Sequence, residues 1–524
     1  MKHFYLCALL ITFFKLNAQI ELVSSDVTFF QKPLKTANGI YFSGSNADVG
    51  VEPYFYDGSS LLFNLKDVNI GTSSSWAGNF YEFQSKIYFS ASNTGNNNEL
   101  YTTDGTEAGT VLFKEINSSN TVGGFPNDFI ALGNNLLFTA SETSNNPELF
   151  ISDGTEVGTA LLKEIQVGQF GSAPSQKTLY NGQVYFSASN GGGGANTGFE
   201  PWITDGTNAG TNLFLDINSG NASSYPESFT EHNGLLFFHA QNATNGRELW
   251  VTDGTISGTQ MVSDINSGSA NGLIPETNFF VIQDKLYFEA NDGVNGRELW
   301  TYNSNTNNVQ LVADINPLGN SQPSGFAELN GNLFFSANDG INGWELFKLD
   351  TTTNQVTLFD INSTGSSFAN IGAVINNRIY FAADDGTHGR ELWVTDGTIA
   401  GTQMIADLNP GSGSSFPDHL IDFNGELIFS TTAGIYKFND VVLGLETVES
   451  KPSISLYPNP SNSSFKLKGV ETIDALEIFD LTGKLVKEYA SPQESYNISG
   501  LKAGIYFVSI NADNASQTIK LIKN

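Results

Sequence analysis

Short runs in which apolar and polar residues alternate recur along most of the chain, in a constant order of four. The first run of each unit, such as Ser324-Gly325-Phe326-Ala327-Glu328-Leu329, stops at a pair like Asn330-Gly331, which suits a tight hairpin. The second follows at once, as Leu333 to Ala337, with counterparts at Val184 to Ala188, Leu286 to Ala290 and Ile379 to Ala383. The third carries Glu-Leu-Trp and closes on Asp-Gly-Thr. The fourth is of the type Gln260 to Asn266. Runs of this length with a period of two predict strands, so each unit is read as a four-stranded antiparallel sheet.

The units repeat. Arg247-Glu248-Leu249-Trp250-Val251-Thr252-Asp253-Gly254-Thr255 returns unchanged from Arg390 to Thr398, and the repeat glutamates fall at 52, 99, 148, 200, 248, 298, 345 and 391. Their mean spacing is about 48 residues, near the length of one propeller blade. Second strands number nine, but Glu-Leu-Trp strands only eight. The ninth unit ends in a degenerate third strand at Gly434-Ile435-Tyr436-Lys437-Phe438, while Ile20-Glu21-Leu22-Val23 is a strand without a unit. Pairing these two would close a ring and hide an open sheet edge. The expected fold is all-β: a propeller of eight or nine four-stranded blades over 19–442, followed by a small β-sandwich, with an open solenoid as the alternative for the repeats.

The recurring residues have two readings each. The aromatic residue two places after each repeat glutamate, as in Trp250 and Trp393, either packs blade on blade or forms a row of sugar platforms. Glu248 and Glu391, and the Asp-Gly turns Asp253-Gly254 and Asp396-Gly397, either build the scaffold or supply paired carboxylates for glycoside cleavage. Eight equivalent copies favour packing and turn-building, because an active site needs one constellation. Between these lies calcium. Loops holding Asp292, Asp339 and the pair Asp384-Asp385 are rich in oxygen ligands and glycine, without EF-hand spacing. No cofactor is required by anything in the sequence, and calcium is the one that suits its composition.

Charge narrows the picture further. The 24 Lys+Arg against 54 Asp+Glu give a net charge of −30, which argues against a nucleic-acid partner. Lys2 and His3, the apolar run from Phe4 to Phe14 and Ala18 read as a signal peptide over 1–18, too short to span a membrane. The single cysteine, Cys7, lies inside it, so the mature chain is expected to have no disulfide, no Cys-held metal and no transmembrane segment. The remaining histidines, His232, His239, His388 and His419, show no metal spacing; His388, in a loop that departs from the repeat, is the loop candidate for binding. The glycine-rich insertion from Gly191 to Gly198 is a second departure from the repeat.

Two resemblances follow from these residues. The unit x-E-L-W-x-T-D-G-T-x-x-G-T, best seen at 247–259 and 390–402, resembles the ELWxxDGT repeat of large exported bacterial proteins and implies a fold more than an activity. Units six and seven depart from it at Tyr302-Asn303-Ser304 and Leu349-Asp350-Thr351, so their hairpins should be built differently. After a linker at 443–452, residues 453–524 resemble the type A sorting domain of type IX secretion. The likeness rests on Tyr457-Pro458-Asn459-Pro460, on Thr482-Gly483-Lys484, on Gly504-Ile505-Tyr506 and on the closing Lys520-Leu521-Ile522-Lys523. It implies the type IX machinery as partner, passage through the periplasm and outer membrane, and a secreted or cell-surface destination. The resulting expectation is a binding or adhesion module for an extracellular glycan or protein rather than an enzyme. A secreted carbohydrate-active enzyme with a carboxylate in the propeller mouth is the first alternative, and a calcium-stabilised structural surface protein the second.

Overall fold

The computed structural model describes residues 20–439 and 455–524, apart from 60–61, 120–121, 144–145, 169, 192–196, 469–474, 481–483, 490 and 513–514. The signal peptide, the linker, most of the glycine-rich insertion and Gly483 therefore lie outside the described residues. The chain divides into two units at Asp440/Val441.

In the first unit the described strands form nine sheets, here called blades 1 to 9, beginning at Thr28, Gly78, Asn127, Ser175, Glu227, Phe280, Ser324, Asn370 and Asp418. Blades 2 to 8 have four antiparallel strands in sequence order. The innermost strand of blade 1 is broken into Thr28–Phe29 and Leu34–Lys35, both paired with Ile40–Asn46. Blade 9 takes its fourth strand from the other end of the chain: Ile20–Ser24 runs antiparallel to Gly434–Phe438, with Ile20 opposite Phe438 and Leu22 opposite Tyr436. The unassigned amino-terminal strand thus completes the ninth sheet, and of the two expected blade numbers the structure has nine.

A β-propeller results because each sheet is apolar on both faces. The second strands read as continuous apolar runs, and Phe42, Phe89, Phe138, Phe186, Phe237, Phe288, Phe335, Phe381 and Phe429 are all fully or almost fully buried. Buried clusters join every neighbouring pair of blades, as with Phe237 and Leu249 of blade 5 against Leu286 and Phe288 of blade 6. One such cluster joins Phe42 and Tyr54 of blade 1 to Ile428 and Ile435 of blade 9, which closes the ring. Fully burying one such ring side chain contributes roughly 2–3 kcal/mol, and the repeat multiplies this around the circle. The solenoid alternative, which leaves the end blades unpaired, does not hold.

First strands touch one another between blades 2 and 3, 3 and 4, 4 and 5, 7 and 8, and 8 and 9, so the first strands line the axis. Each begins on one face of the ring and the strands alternate in direction. The lead-in turn before the first strand and the loop between second and third strands therefore share that face, called the lead-in face below. The Asn-Gly and Asp-Gly-Thr hairpins lie on the opposite face.

The fourth strands are shorter than expected: Gln260–Ser263 stops before Ile265, because the Glu248 side chain takes the next backbone N–H groups in place of a ladder partner. The hairpins of blades 6 and 7 do differ, turning on Asn303, which accepts from Asn305 N–H, and on Asp350, which accepts from Thr352 and Thr353.

The second unit has a three-stranded sheet (Ser455–Tyr457, Ser464–Lys468, Tyr496–Asn497) and a four-stranded sheet ordered Leu485–Tyr489, Ala475–Phe479, Gly504–Ala512, Ala515–Lys523. Leu456 and Phe465 of the first pack with Ile478, Val508 and Leu521 of the second.

Candidate functional site: the lead-in face of the propeller

The eight repeat glutamates are buried, none more than 2% exposed. Each carboxylate accepts a backbone N–H from the end of its own blade and another from the lead-in turn of the next. Glu248 takes Ile265 and Gly272 at 2.9 Å each and Asn266 at 3.3 Å; Glu391 takes Leu408 at 3.0 Å and Ser415 at 2.8 Å, with the Ser415 hydroxyl donating at 2.6 Å. A carboxylate with two oxygens suits this bridge because several donors converge on it, the lead-in N–H being shared with the carbonyl of the residue before the glutamate, as Gly272 N–H is with Arg247 and Ser415 N–H with Arg390.

Burial pushes the Glu200 and Glu248 carboxyls up to about 7, while their N–H donors pull the other way. Burial likewise raises Glu52, Glu99, Glu148, Glu298 and Glu345. Between the ordinary value of 4.5 and about 7 the folded state binds protons that the unfolded chain has released, so stability falls as pH rises through that window. Thermal unfolding should give a higher propeller midpoint at pH 5 than at pH 8, and Glu200→Gln with Glu248→Gln should flatten the slope. A midpoint rising over that range would contradict the assignment.

The Asp-Gly-Thr turns share one geometry. Asp253 Oδ1 accepts from Thr255 N–H (2.8 Å) and hydroxyl (2.7 Å), Gly254 sits at φ 95°, and Thr259 bonds back to Thr252 at 2.7 Å. Asp396, Gly397 (φ 90°), Thr398, Thr402 and Thr395 repeat it. Four of the aromatic residues of the third strand, Tyr54, Phe150, Trp250 and Phe347, stack on the phenylalanine across from them in the same sheet, and Tyr101 and Trp393 lie tilted against theirs. Trp250 lies on Phe238 at 6.5 Å and Phe347 on Phe335 at 5.8 Å, and none of the eight is an exposed platform.

The acidic loop residues lie on the lead-in face but in three separate blades. Asp292 accepts from Val294 and Asn295 N–H and from the Asn295 amide; Asp339 does the same with Ile341 and Asn342. Asp384 accepts from Gly386, and Asp385 from Thr387 and His388 N–H. His388 Nδ1 lies 2.8 Å from Asp385 Oδ2, a hydrogen bond that raises the imidazole above its ordinary value. These carboxylates point at donors of their own loops, and the described residues contain no group of three acidic or histidine side chains placed to share an ion.

Reasoning along the chain overlooks a different row. Immediately before the first strand, Trp76, Phe125, Tyr225, Phe368 and Phe416 occupy equivalent places in blades 2, 3, 5, 8 and 9, and all are between 41% and 55% exposed. Each has φ between 46° and 53°, a left-handed conformation that bulky side chains resist at a cost of about 1–3 kcal/mol. Their backbone N–H groups hold them there, bonding to the carbonyl of the residue before the repeat glutamate: Tyr225 to Phe199 at 3.1 Å and Phe368 to Trp344 at 3.1 Å. The carboxylate bridge and this backbone bond together present an aromatic side chain from five lead-in turns on the face where the axis opens. The available signal was the aromatic residue that follows Ser75, Gly124, Ser224, Ser367 and Ser415, at nearly constant distance after each repeat glutamate.

In the second unit, the Asn459 amide, within Pro458-Asn459-Pro460, donates to the Lys520 carbonyl at 2.7 Å and its Oδ1 accepts from Ile522 N–H at 2.8 Å. Tyr506 is buried with its hydroxyl on the Lys502 carbonyl, Gly504 opens the same strand and Lys484 donates its N–H to Asp480. The motifs at the two ends of this unit are thereby stitched together.

Residues 455–524 match the family described as the secretion system C-terminal sorting domain, which implies the type IX machinery and export across the outer membrane. No curated protein matches the chain. Among solved structures it is similar to PorZ, an essential surface component of the type IX secretion system of Porphyromonas gingivalis, at 14% identity over 94% of this chain and 75% of that one, with a TM-score of 0.35. It is also similar to BamB from Moraxella catarrhalis, at 12% identity over 80% and 96% with a TM-score of 0.35. The β-propeller domain of the Trilobed protease from Pyrococcus furiosus follows at 10% identity over 64% and 99%, with a TM-score of 0.32. At such identities the likeness concerns the fold alone. No helix among the described residues is long and apolar enough to cross a membrane.

Proposed function

We propose that this chain, whose C-terminal sorting domain directs it across the outer membrane, is a surface or secreted binding module. Its propeller engages an extracellular glycan or protein through the lead-in face. The supporting observation is the row of exposed aromatic residues at one turn position on that one face. Scattered exposed apolar residues need no explanation, but five exposed aromatic side chains at one turn position on one face point to contact with a partner, the left-handed turn that presents them being shared by Ala173 and Gln322 in blades 4 and 7. Val294 and Ile341, each 86% exposed in loops of the same face, enlarge the apolar surface.

The test is binding of the full chain to an array of glycans and extracellular proteins. Combined Phe125→Ala, Phe368→Ala and Phe416→Ala substitution should weaken capture about tenfold or more with an unchanged unfolding midpoint. The same change at Val157, Ile256 and Ile399, exposed on the opposite face, should leave it intact. Equal loss from both faces, or none from the first, would remove the lead-in face from this role.

A further inference from the structure

One blade breaks the repeat where a cleft opens. In blade 5, Ser224 precedes the second strand, starting at Leu235, by 11 residues, and in blade 7 Ser321 precedes Asn332 by 11; in blade 6, Gly272 precedes Lys285 by 13. The two added residues form a turn in which Thr277 N–H bonds the Ile274 carbonyl at 3.0 Å and the Thr277 hydroxyl accepts from Ile274 N–H at 3.1 Å. They shorten the innermost strand to Phe280–Ile282, where its neighbours have six residues. The aromatic position of the lead-in turn is taken by Leu273, which is fully buried. Between blades 6 and 7 this leaves a cleft of about 740 Å³, against about 220 Å³ for the groove between blades 2 and 3. That volume is in the range of small-ligand sites.

The cleft is chemically unlike its neighbours. Phe279, Phe280, Phe326 and Trp344 supply its aromatic surface. At its base Arg297 Nε donates to Glu289, whose side chain is 12% exposed. In blades 5 and 8 the corresponding arginines bond the carbonyl of the lead-in aromatic residue, Arg247 to Tyr225 and Arg390 to Phe368, each at 2.9 Å, and Arg247 lies in addition 3.7 Å from the Glu227 carboxylate. Blade 6 has Leu273 in place of that aromatic residue, and its arginine donates directly to a carboxylate of the second strand, Glu289. At the place of Glu289, opposite the repeat leucine, blades 7 and 8 have Ser336 and Ala382.

We infer that the cleft between blades 6 and 7 binds a neutral oligosaccharide segment, stacked on Trp344 and Phe326 and hydrogen-bonded at the Glu289–Arg297 pair. The inference rests on the binding reading given above and assigns it a site and a ligand class. A sugar hydroxyl both donates and accepts, and so can use a carboxylate and a guanidinium side by side, while the amides of Asn278 and Gln322 offer the same at the rim. An anionic ligand is disfavoured, because the arginine is already neutralised, Glu276 adds an exposed acid and the chain carries −30 overall. A lysine-rich peptide is less suited, since Glu289 is paired and only solvent-screened Glu276 would meet its charge.

Isothermal titration of the full chain with maltohexaose, cellohexaose and mannohexaose, and with a tetralysine peptide, tests this. At least one hexasaccharide should bind, with about a tenfold loss of affinity in Trp344→Ala and in Glu289→Gln. Val157→Ala and Ile256→Ala, exposed on the opposite face, should not change it, since a ligand in the cleft does not reach them. The unfolding midpoint of each variant shows that it is folded, and Phe326→Ala replaces Glu289→Gln if that variant is not. Hexasaccharide binding that survives the cleft substitutions, or array capture without any hexasaccharide binding, would overturn the cleft and leave the lead-in face standing. Binding of the peptide alone would overturn the ligand class, and no capture on the array and no titration signal would overturn both readings.

Discussion

Glu248→Ala should lower the stability of the propeller by about 3–6 kcal/mol, more than any change among the exposed loops. The substitution leaves the N–H groups of Ile265 and Asn266 without their acceptor, and that of Gly272 with the Arg247 carbonyl alone, in a place where Glu248 itself is fully buried. An unsatisfied buried donor costs about 1–3 kcal/mol, and the cavity adds to this only as far as it fails to collapse or admit water. Because the donors belong to the end of blade 5 and the lead-in turn of blade 6, the damage should loosen that junction. Urea unfolding followed by tryptophan fluorescence reads the loss as a lower midpoint, and Glu248→Gln, which keeps one acceptor oxygen, should lose less than half as much. A midpoint within experimental error of the native chain would show that the bridge does not hold the blades.

Removing Ile20–Ser24 should be nearly as damaging, and should also change solubility. That strand supplies the fourth member of blade 9 and inserts Ile20 beside the cluster shared with blade 8 and Val23 beside the cluster shared with blade 1. Without it the edge of Gly434–Phe438 is open to pairing with another chain. A loss of several kcal/mol corresponds to a drop in unfolding midpoint on the order of 10 °C, with concentration-dependent aggregation. Light scattering during a thermal ramp measures both, and a synthetic peptide spanning 19–26 should restore part of the midpoint by filling the vacant edge. An unchanged, soluble protein would mean that blade 9 is self-sufficient.

Much of the ring was legible residue by residue. Ile20 to Val23 stood out as a strand without a unit because the repeat made the missing strand of the ninth unit visible, and the structure pairs the two. The fourth strands were overdrawn because a side chain replaces the ladder there: nothing in Gln260 to Asn266 announces that Glu248, distant in sequence, will take the N–H groups of Ile265 and Asn266. The exposed aromatic residues stayed hidden for a similar reason. Nothing beside Tyr225 and Phe416 in the chain announces the left-handed turn, held in each case by a carbonyl of the preceding blade, that leaves them exposed.

Local alternation, turn residues and the spacing of the repeat were enough to define sheets, their number within one and the identity of the C-terminal unit, because each of these depends on neighbours within a few dozen residues. Closure of nine blades, the common face of the lead-in turns and the cleft beside blade 6 depend on contacts between positions up to the full circuit of the ring apart. They arise only when the same short-range units are packed in a circle, where a two-residue insertion in one blade becomes a change of volume between two.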